Sequence, residues 1–360
     1  MTELFLKKSD CFGCEACAAA CPFGAITMEQ DREGFLYPVA DSAKCQSCGR
    51  CSEVCPAKHL PGKSSVRAFA VRCNDEKILY ESTSGGAFSL IASAFAEGGC
   101  LVCGAEFDGE FNVVHRLSDD FSRMRKSKYA QSRTGDCFAE MKKNLSSGRQ
   151  VLFSGTPCQC HAVRLMFGND PGLIILSLLC RGAASPLFWK EYRRYIEKKD
   201  GELTAYCFRD KRFGNDAHGV SYTAGGKETA VSYFRDPFGR IYSKDIPLRP
   251  SCYSCPYCFP DRDFDFSVGD FWGIEKILPE LNDGKGTSLV LTSGVKAEAI
   301  MEKIAGGAFV REVPADAVLQ PALVSPAREP FLRRFFFNDL IREGPDGCCD
   351  MQLIIKKYGM

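Results

Sequence analysis

Apolar and polar residues follow one another along this chain with two different periods. "VRAFAVRC" (66–73) is an apolar run of strand length, and "LIILSLLC" (173–180) reads as a buried strand. In "SGGAFSLIASAFAEGG" (84–99) the apolar residues fall at helical spacing, with Gly85-Gly86 at the start and Gly98-Gly99 at the stop. "CLVCGAEFDGEFNVVHRL" (100–117) predicts a hairpin around Asp108-Gly109. A helix is expected near 136–147, a strand over 150–154, and another helix beginning near Pro186. That order predicts an α/β or α+β domain with a mixed sheet. The first 62 residues differ. "AITMEQDREGFLYPVAD" (25–41) holds two short apolar stretches separated by "DREG", the pattern of a hairpin, and "KHLPGKSS" (58–65) reads as a linker. The expected organisation is therefore α+β, with a small domain over 1–62 followed by a larger mixed α/β domain over 66–360.

Composition adds one unusual feature. A hydrophobic content of 45% and a charged content of 25% are those of a soluble globular protein. A net charge of +1 gives no basis for nucleic-acid or membrane-surface binding. No stretch approaches the roughly 20 apolar residues of a membrane span, and "MTELFLKKSDC" has no long apolar segment of a secretory signal. A cytoplasmic protein is expected. Against this background 21 cysteines stand out. An unexported chain of this size is a poor disulfide scaffold, so metal ligation is the better reading.

The spacing supports it. "CFGCEACAAACP" (11–22) and "CQSCGRCSEVCP" (45–56) both read C-x2-C-x2-C-x3-C-P. In this bacterial ferredoxin run three cysteines hold one cubane and the fourth ligates the other. Cys11, Cys14, Cys17 and Cys55 are assigned to one [4Fe-4S] cluster, and Cys45, Cys48, Cys51 and Cys21 to the second. Zinc also accepts four thiolates, but two complete copies with both prolines favour cubanes.

A third set is "CYSCPYC" (252–258), which lacks the closing C-P and so needs remote partners. Cys158, in "FSGTPCQCH" (153–161), and Cys180 each end an expected strand, and neighbouring strand ends can converge. Cys158, Cys180, Cys252 and Cys255 could then make a third [4Fe-4S] site. Cys258 is either spare or the occupant of one place, and structural zinc is the alternative. Cys158 at a helix start, with His161 three residues on, also has the look of an activated nucleophile; two clusters elsewhere in the chain favour ligation. Cys160 reads as a small buried hydrophobe. There is no P-loop, and "GKGTSL" (284–289) reads as a turn. "REPFLRRFFFNDLI" (328–341) reads as a helix that either docks a partner or packs on its own core. Cys348-Cys349 has no assigned role.

These stretches, in order, resemble the family of coenzyme F420 hydrogenase/dehydrogenase beta subunits, fused to an N-terminal two-cluster ferredoxin. The resemblance covers about 66–295 and rests on "STSGGAF" (82–88), "SKYAQS" (127–132), "VLFSGTPCQ" (151–159), "LLCRGAASP" (178–186), "FRDK" (208–211), "CYSC" (252–255), "VGDFWG" (268–273) and "DGKGTSLVL" (283–291). Family members often read C-H-G where this chain has Cys180-Arg181-Gly182. The resemblance implies a flavoprotein with FAD beside a [4Fe-4S] cluster on Cys158, Cys180, Cys252 and Cys255. It implies FAD contacts from Thr83, Ser84, Gly85, Gly86, Ser127, Lys128, Tyr129, Gly155, Thr156, Pro157 and Gln159. Lys128 can neutralise a phosphate, Tyr129 can stack on a ring, and "GDFWG" either walls the flavin or is a turn packed on the core.

The expected function is that of an iron–sulfur flavoprotein oxidoreductase. Electrons pass between a two-electron substrate or carrier (an F420-type deazaflavin or another small molecule) and one-electron partners. The alternative is a relay subunit of a larger complex with no substrate of its own. The expected partners are a redox protein or small electron carrier and a small-molecule substrate, with the oligomeric state left open, a homo-oligomer included. No general acid or base stands out among His115, His161 and His218.

Overall fold

The computed structural model describes residues 4–214, 218–342 and 349–359, which leaves Cys348 outside them. In the N-terminal segment α1 (Ala16–Ala19) closes the first cysteine run. Strands β1 (Ile26–Gln30) and β2 (Leu36–Ala40) form the antiparallel hairpin, Ile26 opposite Ala40, and α2 (Arg50–Glu53) closes the second run. The sequence repeat is carried by the backbone: Gly13 and Glu15 are left-handed in the first run, as are Ser47 and Gly49 at the corresponding places of the second. These reversals turn the cysteines of each run to one side.

The body begins with β3 (Arg67–Cys73), α3 (Glu76–Tyr80) and α4 (Ala87–Ala96), followed by the hairpin β4 (Leu101–Phe107) and β5 (Val113–Ser118). Next come α5 (Cys137–Ser146), β6 (Val151–Gly155), α6 (Pro157–Phe167), β7 (Leu173–Leu178) and α7 (Pro186–Asp200). After β8 (Leu203–Asp210), β9 (Gly219–Ala224), β10 (Lys227–Ser232) and α8 (Pro237–Ser243), the chain returns with β11 (Phe266–Asp270) and β12 (Ser288–Thr292). It ends through α9 (Gly294–Ile304), β13 (Ala308–Val313), α10 (Arg333–Leu340) and α11 (Met351–Tyr358).

Eight strands make one mixed sheet in the order β13-β3-β12-β11-β7-β6-β4-β5. Its strands alternate as the side-chain period of two demands. Phe69, Val71, Leu152, Ile174, Leu176 and Val290 pack against α4 and α9 on one face. Val151, Phe153, Leu173 and Ile175 meet α5 and α6 on the other. Fully burying each such side chain contributes about 1.5–3 kcal/mol, so the two faces are what hold the sheet in register. β11, β7, β6 and β4 run parallel, and β12 is antiparallel to both β11 and β3. Five strands, β3 included, therefore end on one edge, where β12 begins. A motif that follows one of these five strands comes to that edge, the usual place for a ligand in such sheets.

A second, antiparallel sheet, β10-β9-β8, packs with α7, α8, α10 and α11 around an aromatic core of Trp189, Phe208, Phe238 and Phe336. Phe35, just before β2, and Tyr37 of β2 enter this core, so the N-terminal segment is packed into the body. Of the two readings of 328–341, the contacts show the core helix: Phe336, Phe337 and Leu340 are buried, while Phe331 and Phe335 face solvent. Among the described residues no helix is long and apolar enough to cross a membrane.

Candidate functional site

The N-terminal cysteines line two cavities. One, of about 380 Å³ with its mouth included, is walled by Cys21, Cys45, Cys48 and Cys51 with Leu4, Phe23 and Ile26. The other, of about 430 Å³, is walled by Cys11, Cys14, Cys17 and Cys55 with Phe12, Met28 and Pro38; Cys51 borders both. Each cavity thus gathers three cysteines of one run and the last cysteine of the other. Burial pushes the Cys17 thiol up to about 12, helped by Cys11 and Cys55. Glu15, a non-glycine residue at φ 64°, is held there by its own side chain. Its carboxylate accepts from the backbone N–H groups of Thr134 (2.8 Å) and Gly135 (3.2 Å) at the approach to α5.

The third set forms where β6 and β7 end. Thr156 caps α6 in a T-x-x-Q box with Gln159, and Pro157 opens the helix, which fixes Cys158 in its first turn. The Thr156 hydroxyl lies 3.2 Å from the Cys158 sulfur. Cys180 lies within electrostatic reach of Cys252, Cys158 and Cys255, and Cys252 of Cys158 and Cys255. Cys258 meets the Cys255 thiol. Burial pushes Cys158 to about 11 and Cys252 to about 12. One further observation fits an anionic group at this place. Arg262, 1% exposed, lies among Cys160, Cys180, Cys255 and Cys258 with its Nε and Nη2 unpaired. Arg181 pairs with Asp245 at 2.6 Å and acts on Cys258 electrostatically.

The first N-terminal quartet and this third set are neighbours. Cys14 lies within electrostatic reach of Cys158. Between them stands Tyr257, 1% exposed and close to Cys158, Cys14, Cys255 and Cys55. Its hydroxyl meets His161 Nδ1 at 2.7 Å, so the partner of His161 is Tyr257. No property of the sequence pointed to that pair. The second quartet lies outward, and its Cys48 is exposed.

Of the residues that the resemblance implies for FAD, Gly155, Thr156, Pro157 and Gln159 flank Cys158, and the rest come from the stretches 83–86 and 127–129. The Thr83 hydroxyl accepts the Ser127 N–H (2.9 Å) and joins the two stretches. Tyr129 stacks on Tyr242 with ring centroids 4.7 Å apart, and the Tyr242 hydroxyl donates to Gly182 O (2.8 Å) beside Cys180. The Lys128 ammonium is held by the carbonyls of Arg123 (2.9 Å), Arg125 (2.6 Å) and Lys126 (3.3 Å), and burial lowers its pKa to about 7. Lys211, from "FRDK", donates to the carbonyls of Leu79, Ser84 and Lys285, and burial lowers it to about 8. Three carbonyls occupy the three N–H groups of each ammonium, and the carboxylates acting on them are Glu106 for Lys128 and Asp270 for Lys211. Arg209 pairs with Asp270 at 2.5 Å and lies under the ring of Trp272. The Asp270 Oδ1 is buried without a partner, as a ring N–H donor would need. Within "GDFWG", Phe271 packs into the core while Trp272 is 41% exposed.

Several of the expected contacts already have work inside the protein. A Cβ on Gly85 would lie 2.2 Å from Val71 O, and one on Gly155 2.8 Å from Phe153, so both glycines are required by packing alone. Gly86 is the left-handed N-cap of α4. Ser84 donates to Thr287 O, and the Gln159 amide to Ser132. His115 stacks on Phe153 and meets Ser154 O at 3.1 Å; burial lowers it to about 4. Lys211 and Arg209 were missed as site residues although both stand in the quoted "FRDK".

Residues 148–317 match the family described as the C terminus of the Coenzyme F420 hydrogenase/dehydrogenase beta subunit, and residues 10–59 match the 4Fe-4S dicluster domain. Thr83 through Tyr129 thus precede the matched part of the first family. One subunit of the F(420)H(2) dehydrogenase of Methanosarcina mazei is 26% identical over 193 residues, 49% of this chain and 54% of that protein. One subunit of the Na(+)-translocating ferredoxin:NAD(+) oxidoreductase complex of Acetobacterium woodii is 35% identical over 65 residues, 18% of each chain. The chain therefore spans about half of the first relative and under a fifth of the second. A chain of the F420-reducing [NiFe] hydrogenase complex of Methanosarcina barkeri aligns over 72% of this chain and 85% of its own, at 18% identity and a TM-score of 0.48. The chain is an iron–sulfur electron-transfer protein related to F420 hydrogenase/dehydrogenase beta subunits, with an N-terminal 4Fe-4S ferredoxin-type domain.

Proposed function

We propose that this chain is an iron–sulfur flavoprotein oxidoreductase, organised as a ferredoxin domain over 1–62 and a flavin- and cluster-binding domain over 66–360. In this reading Cys11, Cys14, Cys17 and Cys55 hold one [4Fe-4S] cluster, Cys45, Cys48, Cys51 and Cys21 a second, and Cys158, Cys180, Cys252 and Cys255 a third. FAD would be held by Thr83, Ser127 and Lys128, with Lys211 and Arg209 added to the set. When bound, the flavin supplies two-electron exchange with an organic substrate and the clusters supply one-electron exchange. The observation that carries the reading is one sequence of neighbours. Tyr129 stacks on Tyr242, Tyr242 reaches the backbone beside Cys180, Cys180 lies by Cys158, and Cys158 lies by Cys14.

The chain's own groups place and tune. Lys128 and Lys211, each tied to backbone carbonyls, place positive charge beside the stretches 83–86 and 127–129, where a pyrophosphate would need it. Asp270 Oδ1 offers an acceptor in the same region, and Trp272 a ring face. Tyr257 and His161 fill the space between the first and third cysteine sets and keep water out of it.

The substrate class is a hydride donor or acceptor of the F420 type or another small molecule. The relatives are named as subunits of larger complexes, and Cys48 is exposed on the outer quartet, which favours a second reading as a relay subunit. Purified protein assayed with reduced F420 and an artificial dye separates the two. Dye reduction by this chain alone supports the oxidoreductase. Reduction only after a partner protein is added makes it a relay.

A further inference from the structure

Among the described residues four arginines are buried: Arg209, Arg249, Arg262 and Arg333. Two of them carry a carboxylate, Arg209 with Asp270 and Arg333 with Glu33. The other two, each 1% exposed, have no carboxylate partner among the described residues. These are the two that lie among the cysteines. A guanidinium cannot shed its proton, and burying it without counter-charge is costly.

Arg249 is fixed on all sides by neutral groups. Its Nε donates to Cys11 O (2.7 Å), Nη1 to Gln131 Oε1 (3.0 Å) and Nη2 to Leu36 O (2.9 Å), and its plane lies 4.3 Å from the Tyr37 ring centroid. Its backbone N–H donates to Ala183 O, and its carbonyl accepts from Cys252 N–H. A Cβ on Gly13 would meet Nη1 at 2.6 Å, so the first cysteine run is folded directly onto the guanidinium. The guanidinium thus touches the backbone of Cys11 in the first quartet and lies within electrostatic reach of Cys158 and Cys252 in the third set, whose Cys252 N–H is held by the Arg249 carbonyl. Arg262 lies near Cys160, Cys180, Cys255 and Cys258, and of the assigned cluster ligands these include Cys180 and Cys255 of the third set alone.

We propose that Arg249 is the shared counter-cation of the first N-terminal cluster and the third cluster, holding their reduction potentials up together, while Arg262 serves the third alone. This rests on the cluster assignment above. A [4Fe-4S] centre with four thiolates is an anion that gains a further negative charge on reduction, so a fixed positive charge beside it favours the reduced form. One residue between two centres raises both and keeps the step between them small. Arg249 is a positioning residue in this account, since it acts through the thiolates' surroundings.

The test is an EPR-monitored potentiometric titration of the full-length, anaerobically purified protein, with Cys21→Ser and Cys158→Ser backgrounds to assign signals. Arg249→Gln is expected to disfavour reduction of the first and third clusters by about tenfold, 59 mV for one electron, and to leave the Cys21-containing cluster unmoved. Arg262→Gln is expected to move the third cluster alone, and Arg249→Lys to keep most of the wild-type values. If Arg249→Gln loses iron, Arg249→Lys decides: iron and potentials retained support the role of charge, iron lost from both overturns it. Potentials unchanged at full iron content, or all three clusters moving together, also overturn it. A wild-type protein that never carries a third cluster would sink the earlier assignment, and that outcome is read from iron content before any titration.

Discussion

Removing the Glu33 carboxylate should loosen the N-terminal hairpin from the body. Glu33 lies in the hairpin turn before β2, and both its oxygens accept from the Arg333 guanidinium at the start of α10. Arg333 is 6% exposed and also donates to Leu248 O through Nε and Nη2. Its plane packs on Phe337 with 4.6 Å to the ring centroid. Breaking a buried pair by deleting one partner typically costs about 3–5 kcal/mol, because the other charge is left behind. Here the Glu33 side chain is 21% exposed and two bonds to Leu248 survive, so Glu33→Ala should cost about 2–3 kcal/mol. Arg333→Met removes the stranded charge, and the double variant should therefore be less destabilised than the two single effects summed, by at least about 1 kcal/mol. Anaerobic urea unfolding followed by tryptophan fluorescence measures this, since Trp189 is buried in the core that α10 joins. A Glu33→Ala protein within about 0.5 kcal/mol of wild type, or strictly additive variants, would refute the argument that this pair fastens the hairpin.

Three further outcomes follow from the same structure. His115 is buried with its pKa lowered from 6.5 to about 4, so the unfolded chain binds its proton first. Its contribution is complete above pH 6.5 and falls by about 1.4 kcal/mol per pH unit on acidification toward pH 4; the pH slope of unfolding free energy in His115→Asn should be shallower by about one proton, and an unchanged slope contradicts it. Cys158→Ser should lower iron from about twelve to about eight per chain while the signals of the two N-terminal clusters persist; activity lost at full iron content would instead make Cys158 a nucleophile. Lys211→Met removes an ammonium bound to Leu79, Ser84 and Lys285 carbonyls, and should weaken flavin retention about tenfold or more, with iron unchanged, as read by absorbance after gel filtration.

The parts of this protein that are local in sequence were legible in it. The two cysteine runs declare their chemistry by spacing, and the left-handed residues inside them repeat with the same offset. The strand at Val151–Gly155 and the helix at Pro157 follow from an apolar run and a T-P-x-Q start. What was not legible depends on residues far apart. Arg249 stands in "PLRPSC" with nothing local to distinguish it from a surface arginine; its burial needs β2, the first cysteine run and Gln131 together. The aromatic core around Trp189 and Phe208 is likewise made by a helix, a small sheet and two terminal helices that no periodicity connects. Tyr257 stands inside "CYSCPYC" with no local signal of a role, yet it lies close to cysteines of two sets.

The most direct measurement is the iron, acid-labile sulfide and flavin content of the anaerobically purified protein. A flavoprotein with three cubanes predicts about twelve irons, about twelve sulfides and one FAD per chain. A fully assembled sample with about eight irons and no flavin absorbance would contradict it.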